Sequence, residues 1–268
     1  MKEIEANKHA WGQIAEDHYH TFKKRLSEGC SGFNKYITQE IGDLSGKKII
    51  HLQCNVGVDT ILLARMTGST GSVVGVDLVP DNIKYSRMLA EDFGIENVEF
   101  IESDVLQFME KYSEKYDVVF TSEGAIGWLP GLGKWAKTVR HLLKDDGFFY
   151  VFDNHPFVMM FDERKLADNI MEVTHPYFSN EPDVDDYIGG YAAETKTGFV
   201  NYWWNHTVAD IINSLASAGL RIEYFHEFQE NYYDSGGLKS ADGYLWNYDF
   251  NSGKFPMTFS LKATVCRM

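Results

Sequence analysis

Ile49 to Arg65 reads IIHLQCNVGVDTILLAR, and the fold turns on how that run divides. The apolar, β-branched opening reads as a buried strand, the polar centre QCNVG as a tight turn, and VDTILLAR as the start of an amphipathic helix. Backbone N–H groups at a helix start have no intrahelical partner and point outward, and Gly57 lets a ligand approach the chain closely, so a ligand belongs at this turn. Twenty residues beyond Gly57, the next apolar run ends at Asp77 in VVGVDLVPDN. That carboxylate either accepts from both hydroxyls of a ribose or caps the helix opening at Pro80-Asp81. Strand, glycine turn, helix, strand and acid together make a nucleoside-binding arrangement.

The alternation continues outward from that unit. Lys48 to Gln53, Ser72 to Val76, Asn97 to Ile101, Tyr116 to Thr121 and Phe148 to Phe152 are short and rich in Val, Ile, Phe or Tyr, which predicts five strands of a parallel sheet. Ile83, Met88, Leu89 and Phe93 line one helix that Gly94 ends. Trp135, Val139, Leu142 and Leu143 line another, expected to stop at Asp145-Asp146-Gly147 with the glycine as a left-handed cap. Right-handed crossovers then put helices on both faces. Periodicity fails from Asn154 to His206, which reads as an insertion forming its own hairpin or helical lid. A helix starting at Thr207 and Asp210 and closing at Gly219 follows, with strands at Arg221 to Phe228 and Met257 to Val265. Ile4 to Leu26 and Gly32 to Leu44 read as two helical segments. The expected organisation is a helical cap over 1–45, a core over 46–153 and 207–268, and a lid over 154–206.

A length of 268 residues, 44% apolar and 24% charged, is globular composition, and a formal charge of −14 repels phosphate backbones and anionic lipid. Neither nucleic acid nor a membrane is expected as a partner. Cys30, Cys54 and Cys266 are odd in number and far apart, which fits neither a disulfide framework nor a cysteine zinc site and suggests a reducing compartment, the cytoplasm. No segment approaches the roughly 18 apolar residues of a membrane span.

A third acid, Asp104 in FIESDVLQF, follows the third strand; it either accepts from an adenine amino group or caps the next helix. Together these residues resemble the class I S-adenosylmethionine-dependent methyltransferase family, over about residues 40–155 and the closing helix and strands. In that family the first motif carries an acid and several glycines. Here His51 stands at the acid and Gln53 and Asn55 at the first two glycines, a variation similar to a bacterial subgroup with an H-L-Q-C-x-x-G-x-D-T turn. YDVVFTSEGAIGWLPGLGKWAKTVRHLLKDDGFFYVFD, Tyr116 to Asp153, looks like the same subgroup.

The resemblance implies a Rossmann-like α/β fold, with a seven-stranded, mostly parallel sheet and an inserted lid after strand 5. It implies S-adenosyl-L-methionine as cofactor and a small-molecule acceptor, in a monomer or homodimer. It further implies that Gln53, Cys54, Asn55, Gly57 and Asp59 meet the donor at the first turn and that Asp77 and Leu78 hold the ribose. Asp104 and Val105 would take the adenine, and Ser122 and Glu123 the methionine end. An amino-terminal W-x-x-x-A-x-x-Y-like element closes over the donor in related enzymes; here it runs from Trp11 to Tyr19, one residue longer.

A sulfonium methyl is already activated, so the protein mainly aligns donor and nucleophile and excludes water. If the acceptor needs a base, His155, His175 and His206 have the right intrinsic pKa, and His155 in DNHPF directly follows the fifth strand, although a His-Pro pair also simply turns a chain. Tyr19, Trp128, Tyr177, Trp203 and Trp204 are candidates for an aromatic acceptor chamber. The histidines lack H-x-x-x-H spacing, so no metal is expected. Two other readings stay open: a nicotinamide-dependent oxidoreductase, and a non-catalytic protein that binds the same donor.

Overall fold

The computed structural model describes residues 2–234, 236–239 and 244–266. Its centre is a sheet of seven strands in the order β3-β2-β1-β4-β5-β11-β8. These are β1 (Lys48–Leu52), β2 (Ser72–Asp77), β3 (Val98–Glu102), β4 (Tyr116–Ser122), β5 (Leu143–Asn154), β8 (Leu220–Phe228) and β11 (Thr258–Val265). Strands β1 to β5 run parallel, whereas β11 is antiparallel to both β5 and β8. The strand order reverses between β1 and β4, which opens a crevice at their carboxyl ends, the usual ligand position in such sheets.

Helices cover both faces, as the crossover rule requires. On one side lie α2 (Ala15–Ser27), α3 (Lys35–Ile41), α4 (Val58–Thr67) and α5 (Pro80–Asp92), with Phe22, Ile37, Leu62 and Leu89 in a continuous core. On the other lie α6 (Leu132–Leu142) and α8 (Val208–Ser217), which bury Trp135, Val139, Ile211 and Leu215. Local chemistry sets the starts: Pro80 pre-forms the first turn of α5, Asn34 caps α3, and Thr207 with Asp210 forms a reciprocal capping box on α8.

The sequence expectation fails at two boundaries. Helix α6 ends at Leu142, and β5 starts at once with Leu143. Gly147 is not a left-handed cap: a Cβ there would sit 2.9 Å from the carbonyl oxygens of both Tyr116 and Asp117, so the glycine permits a bulged strand to approach its neighbour. The amino-terminal segment expected as one helix is two, α1 (Lys2–Gly12) and α2, because the chain turns at Gly12 and sinks Ile14 completely into the interior.

The insertion contains α7 (Glu163–Ala167) and a hairpin of β6 (Asp183–Gly190) and β7 (Ala193–Trp203); a further short pair, β9 (Leu238–Lys239) and β10 (Trp246–Asn247), lies in the loop before β11. The hairpin is tied to the amino terminus. Asn7 donates to the Tyr202 carbonyl at 2.8 Å and accepts from its N–H at 2.7 Å, and Thr21 donates to the Ala192 carbonyl. The hairpin and the amino-terminal helices are thus hydrogen-bonded into one layer.

The crevice depends on Phe100, whose ring lies across two glycines. A Cβ on Gly75 in β2 would sit 2.7 Å from the ring, and one on Gly57 also 2.7 Å. Gly75→Ala is expected to destabilise by about 1–3 kcal/mol through overpacking, and Phe100→Leu in the same molecule to recover most of that loss. Urea denaturation of the double-mutant cycle measures it; additive effects would contradict the contact.

Candidate active site

The turn between β1 and α4 keeps a glycine-type backbone with only one glycine. Gln53, Asn55 and Gly57 have φ of 58°, 51° and 80°, the left-handed region that L residues other than Asn and Asp rarely enter. The surroundings hold it there. The Asp77 carboxylate accepts the Asn55 N–H at 2.8 Å, the Asn55 side chain accepts the Val56 N–H at 2.6 Å, and the Gln53 amide donates to the Ala125 carbonyl at 2.7 Å. Asp77 also accepts from the Val79 N–H at 2.9 Å and the Asn82 amide at 3.1 Å. It therefore caps the second loop and props the first turn. Burial pushes its pKa up to about 6, against the Val79, Asn82 and Asn55 donors that hold it down.

Beside the turn, a neutral histidine replaces the acid usual in such motifs. His51 Nδ1 lies 2.9 Å from Thr60 Oγ1 and Nε2 3.1 Å from Ser122 Oγ, while Ser122 donates to Asp59 at 2.7 Å. Because the serine proton goes to Asp59, Nε2 carries the imidazole proton and Nδ1 accepts from Thr60. Burial lowers the His51 pKa to about 3. An acid stands eight residues further along instead, at Asp59 in the first turn of α4, where its pKa is raised by burial against Ser122 and Arg25.

Beyond β4 the acids accumulate. Glu123 has φ of 43° and its N–H bonds the Phe152 carbonyl at 2.7 Å, yet its carboxylate accepts no hydrogen bond from the described residues. Burial and the neighbouring Asp59 and Asp153 raise its pKa well above the carboxylate range, with Arg25 opposing. Asp153, at the end of β5, accepts four backbone N–H groups, from Gly124, Ala125, Ile126 and Asn154, at 2.7–3.1 Å. It is a positioning residue that shapes the loop after β4. Gln53 Oε1 and Asn154 Oδ1 are buried and have no donor among the described residues.

These groups face a chamber roofed by α2 and the hairpin turn. Tyr191 keeps 48% of its surface accessible, yet burial among protein atoms strongly raises its phenol pKa, with the charges of Glu123, Asp59 and Arg25 all reaching it. Tyr232 stands next to it, accepting the Asn154 amide at 2.8 Å.

The remaining expectations divide. Leu78 is half-buried beside Asp77, and Cys54 packs its thiol beneath Gly75, where burial and Asp77 raise its pKa. Asp104 caps no helix: it accepts the Leu106 N–H at 2.8 Å and the Gln107 amide at 3.1 Å within a half-buried loop, Gln107 being the N-cap of the 3-10 turn Phe108–Glu110, and Val105 is buried beside it. Tyr19 lies away from the turn: its hydroxyl donates to Asp92 at 2.6 Å and its ring stacks on Tyr85, which fastens α2 to α5. His18 reaches the turn instead, at 3.1 Å from Asn55 Oδ1, with Trp11 packed edge-on against it.

His155 also lies outside the chamber. Its Nδ1 accepts the Phe157 N–H at 3.1 Å and its Nε2 is 2.9 Å from Glu227, so the ring joins β5 to β8. Trp203, Trp204 and His206 line a cavity of about 20 Å³ with Gly127 and Asp153, room for a single water. Tyr177 donates toward neither chamber but accepts the Val208 N–H, and His175 pairs with Asp183. His18 belongs to the run His18-Tyr19-His20, which with Trp11 reads in the sequence as a face that packs or closes over something; Arg25, Asp153, Tyr191 and Tyr232 carried no such signal, since each gains its meaning only from partners distant in the chain. Among the described residues no three His, Cys, Asp or Glu side chains converge to hold a metal ion, and no helix is long and apolar enough to cross a membrane.

A family model described as a methyltransferase domain matches residues 43–180. A ubiquinone biosynthesis O-methyltransferase of Salmonella paratyphi A is 30% identical over 112 residues, 42% of this chain and 44% of that protein. The chain thus spans less than half the length of the curated relatives it matches. A putative S-adenosylmethionine-dependent methyltransferase from Listeria monocytogenes shares the fold at 19% identity, TM-score 0.57, over 94% of this chain and 100% of that one. One from Clostridium acetobutylicum does so at 15% identity, TM-score 0.56, over 93% and 92%.

His51 must stay neutral in the folded protein, so its contribution is present above pH 6.5 and is lost as pH falls toward 3. The stability advantage of the wild type over His51→Gln should therefore shrink by about 3 kcal/mol between pH 7 and pH 4, at roughly 1.4 kcal/mol per unit. Denaturant titrations at both pH values test this; a constant gap would show that the imidazole titrates freely.

Proposed function

The chain belongs to the methyltransferase-domain family, and on that premise we propose that it transfers the methyl group of S-adenosyl-L-methionine to a small-molecule acceptor. The observation that carries this reading is the Asp77 carboxylate held against a left-handed turn at the point where the strand order reverses. The donor fits what the residues offer. Gly57 leaves no side chain at the helix start, Asp77 is a buried acid at the end of β2, and Gln53 Oε1 is a buried acceptor in need of a donor such as an α-ammonium.

In this reading Gln53, Cys54, Asn55 and Gly57 supply the turn, and Asp77 and Leu78 hold the ribose. Asp104 and Val105 form the adenine rim, while Asp59, Ser122 and Glu123 face the methionine end with Arg25 above them. When bound, the donor supplies an activated sulfonium methyl. The protein's own work is to orient the donor and keep water out beneath Trp11, His18 and Tyr191. Gln53 crossing to Ala125 closes the turn that a dinucleotide pyrophosphate would need open, which disfavours the nicotinamide reading.

The curated relatives are by name O-methyltransferases of ubiquinone biosynthesis. Their match covers less than half of either chain, so we carry over methyl transfer and not the acceptor. The H-L-Q-C-x-x-G-x-D-T turn supports reading the chain as one of a bacterial subgroup of the methyltransferase family. We read 1–45 as a cap and 154–206 as a lid on the core of 46–153 and 207–268. The charge of −14 argues for a small acceptor over nucleic acid, the unpaired cysteines for the cytoplasm, and a monomer or homodimer suffices for a site built within one chain.

Isothermal titration is expected to show binding of S-adenosylhomocysteine; no binding of it or of S-adenosylmethionine at millimolar ligand would defeat the proposal. Tight binding with no turnover across a metabolite library would return the non-catalytic reading. Asp77→Ala should lose one or two charge-assisted hydrogen bonds, about 1.5–3 kcal/mol each, or at least tenfold in affinity. Since the ionised carboxylate is the binding form and its pKa is about 6, wild-type affinity should fall roughly tenfold from pH 7 to pH 5. An affinity flat over that range would remove Asp77 from the ribose.

A further inference from the structure

The chamber wall opposite the first turn is made of three tyrosines and has a surplus of acceptors. Tyr191 and Tyr233 stack with centroids 5.2 Å apart, and Tyr232 meets Tyr233 edge-on at 5.0 Å and Tyr191 at 6.4 Å. The rings come from the turn of the β6–β7 hairpin and from the loop after β8, so the wall exists only when the roof is in place. Glu163, the first residue of α7, lies at its far side against the Tyr233 hydroxyl, and burial raises its pKa despite that neighbour. Half-buried Glu123 lies at the near side with no hydrogen-bond donor among the described residues, and Asn154 Oδ1, on the side chain that also bonds Tyr232, is buried and has none among them either. Such a surface is matched by a ligand that brings N–H donors and positive charge, because aromatic faces attract cations and desolvated acceptors need donors.

Resting on the methyltransferase reading above, we propose that the acceptor is an amine, whose nitrogen binds against the Tyr191–Tyr232–Tyr233 wall with Glu123 beside it. An alcohol or phenol brings no charge to a site where the acids Asp59, Glu123 and Asp153 outnumber Arg25, the cation that reaches the first two. The amine arrives as an ammonium, which displaces the Glu123 proton to solvent; the ammonium then passes one of its own protons to the carboxylate, leaving carboxylic acid and free amine as a neutral pair in the desolvated site. The freed lone pair then forms the N–C bond as the C–S bond breaks. Its electron pair returns to sulfur, which becomes a neutral thioether, and the positive charge passes from sulfur to the methylated nitrogen. The same three rings face that charge before and after transfer.

The test uses the full chain saturated with S-adenosylhomocysteine, whose sulfur is neutral, and titrates it with choline and with the uncharged isostere 3,3-dimethylbutan-1-ol. Choline is expected to bind at least tenfold more tightly; Tyr191→Phe should keep that preference and Tyr191→Leu should lose it while still binding S-adenosylhomocysteine. In turnover with S-adenosylmethionine, benzylamine should be methylated and benzyl alcohol should not. Equal binding of the two probes, binding of neither, or methylation of the alcohol alone overturns the amine assignment and leaves the methyltransferase reading standing. Failure of S-adenosylhomocysteine itself to bind removes the methyltransferase reading, and the amine assignment falls with it.

Discussion

The hydrogen bond from the Asn55 N–H to Asp77 is the contact on which the rest of the site depends. It joins the turn after β1 to the end of β2 and holds two non-glycine residues in a backbone region that costs about 1–2 kcal/mol each. Phe100 supports the arrangement from below by filling the space that Gly57 and Gly75 leave empty. A Cβ at either glycine would push the ring away and let the turn relax. Everything further along the rim, from Gln53 reaching Ala125 to Asp153 gathering the loop after β4, is placed relative to that turn.

The charge distribution follows from what is buried there. Asp59, Asp77, Glu123 and Asp153 all have pKa values raised by burial, and Arg25 is the cation whose charge reaches both Asp59 and Glu123. Asp77 and Asp153 are compensated by hydrogen bonds, whereas Glu123 has no donor among the described residues and shares Arg25 with Asp59, so their burial is costly until a further positive charge arrives. A cationic ligand relieves that cost, and binding energy of this kind is available for orientation and closure. His51 fits the same logic in reverse. A further acid at its position would add to the repulsion, while a neutral imidazole bridges Thr60 and Ser122 with no charge at all.

Much of this was legible in the chain, and the parts that were not share a cause. All seven sheet strands follow from short β-branched or aromatic runs, and Gly57 and Asp77 from their spacing, because these are local patterns with a fixed period. The end of α6 was misread because Gly147 looks like a cap and acts as a point of close backbone contact, a distinction set by Asp117 on another strand. Tyr19 and His18 are neighbours on one helix, and only the packing of α2 on α5 decides which of them faces the turn. The hairpin was foreseen as one of two forms for the insertion. Its pairing with Asn7 was not, nor was the joining of Tyr191 to Tyr232 and Tyr233, since those contacts span long stretches of chain with no pattern linking their ends.

The central claim is that the rim between β1 and β4 grips an adenosyl group with its sulfur turned toward the tyrosine wall. A crystal structure of the protein grown with S-adenosylhomocysteine tests it most directly. The ribose hydroxyls should lie within hydrogen-bond distance of Asp77 and the homocysteine sulfur should face the space between Glu123 and Tyr191. Ligand bound elsewhere, or a ribose turned away from Asp77 with the Asn55 turn unchanged, would contradict the account.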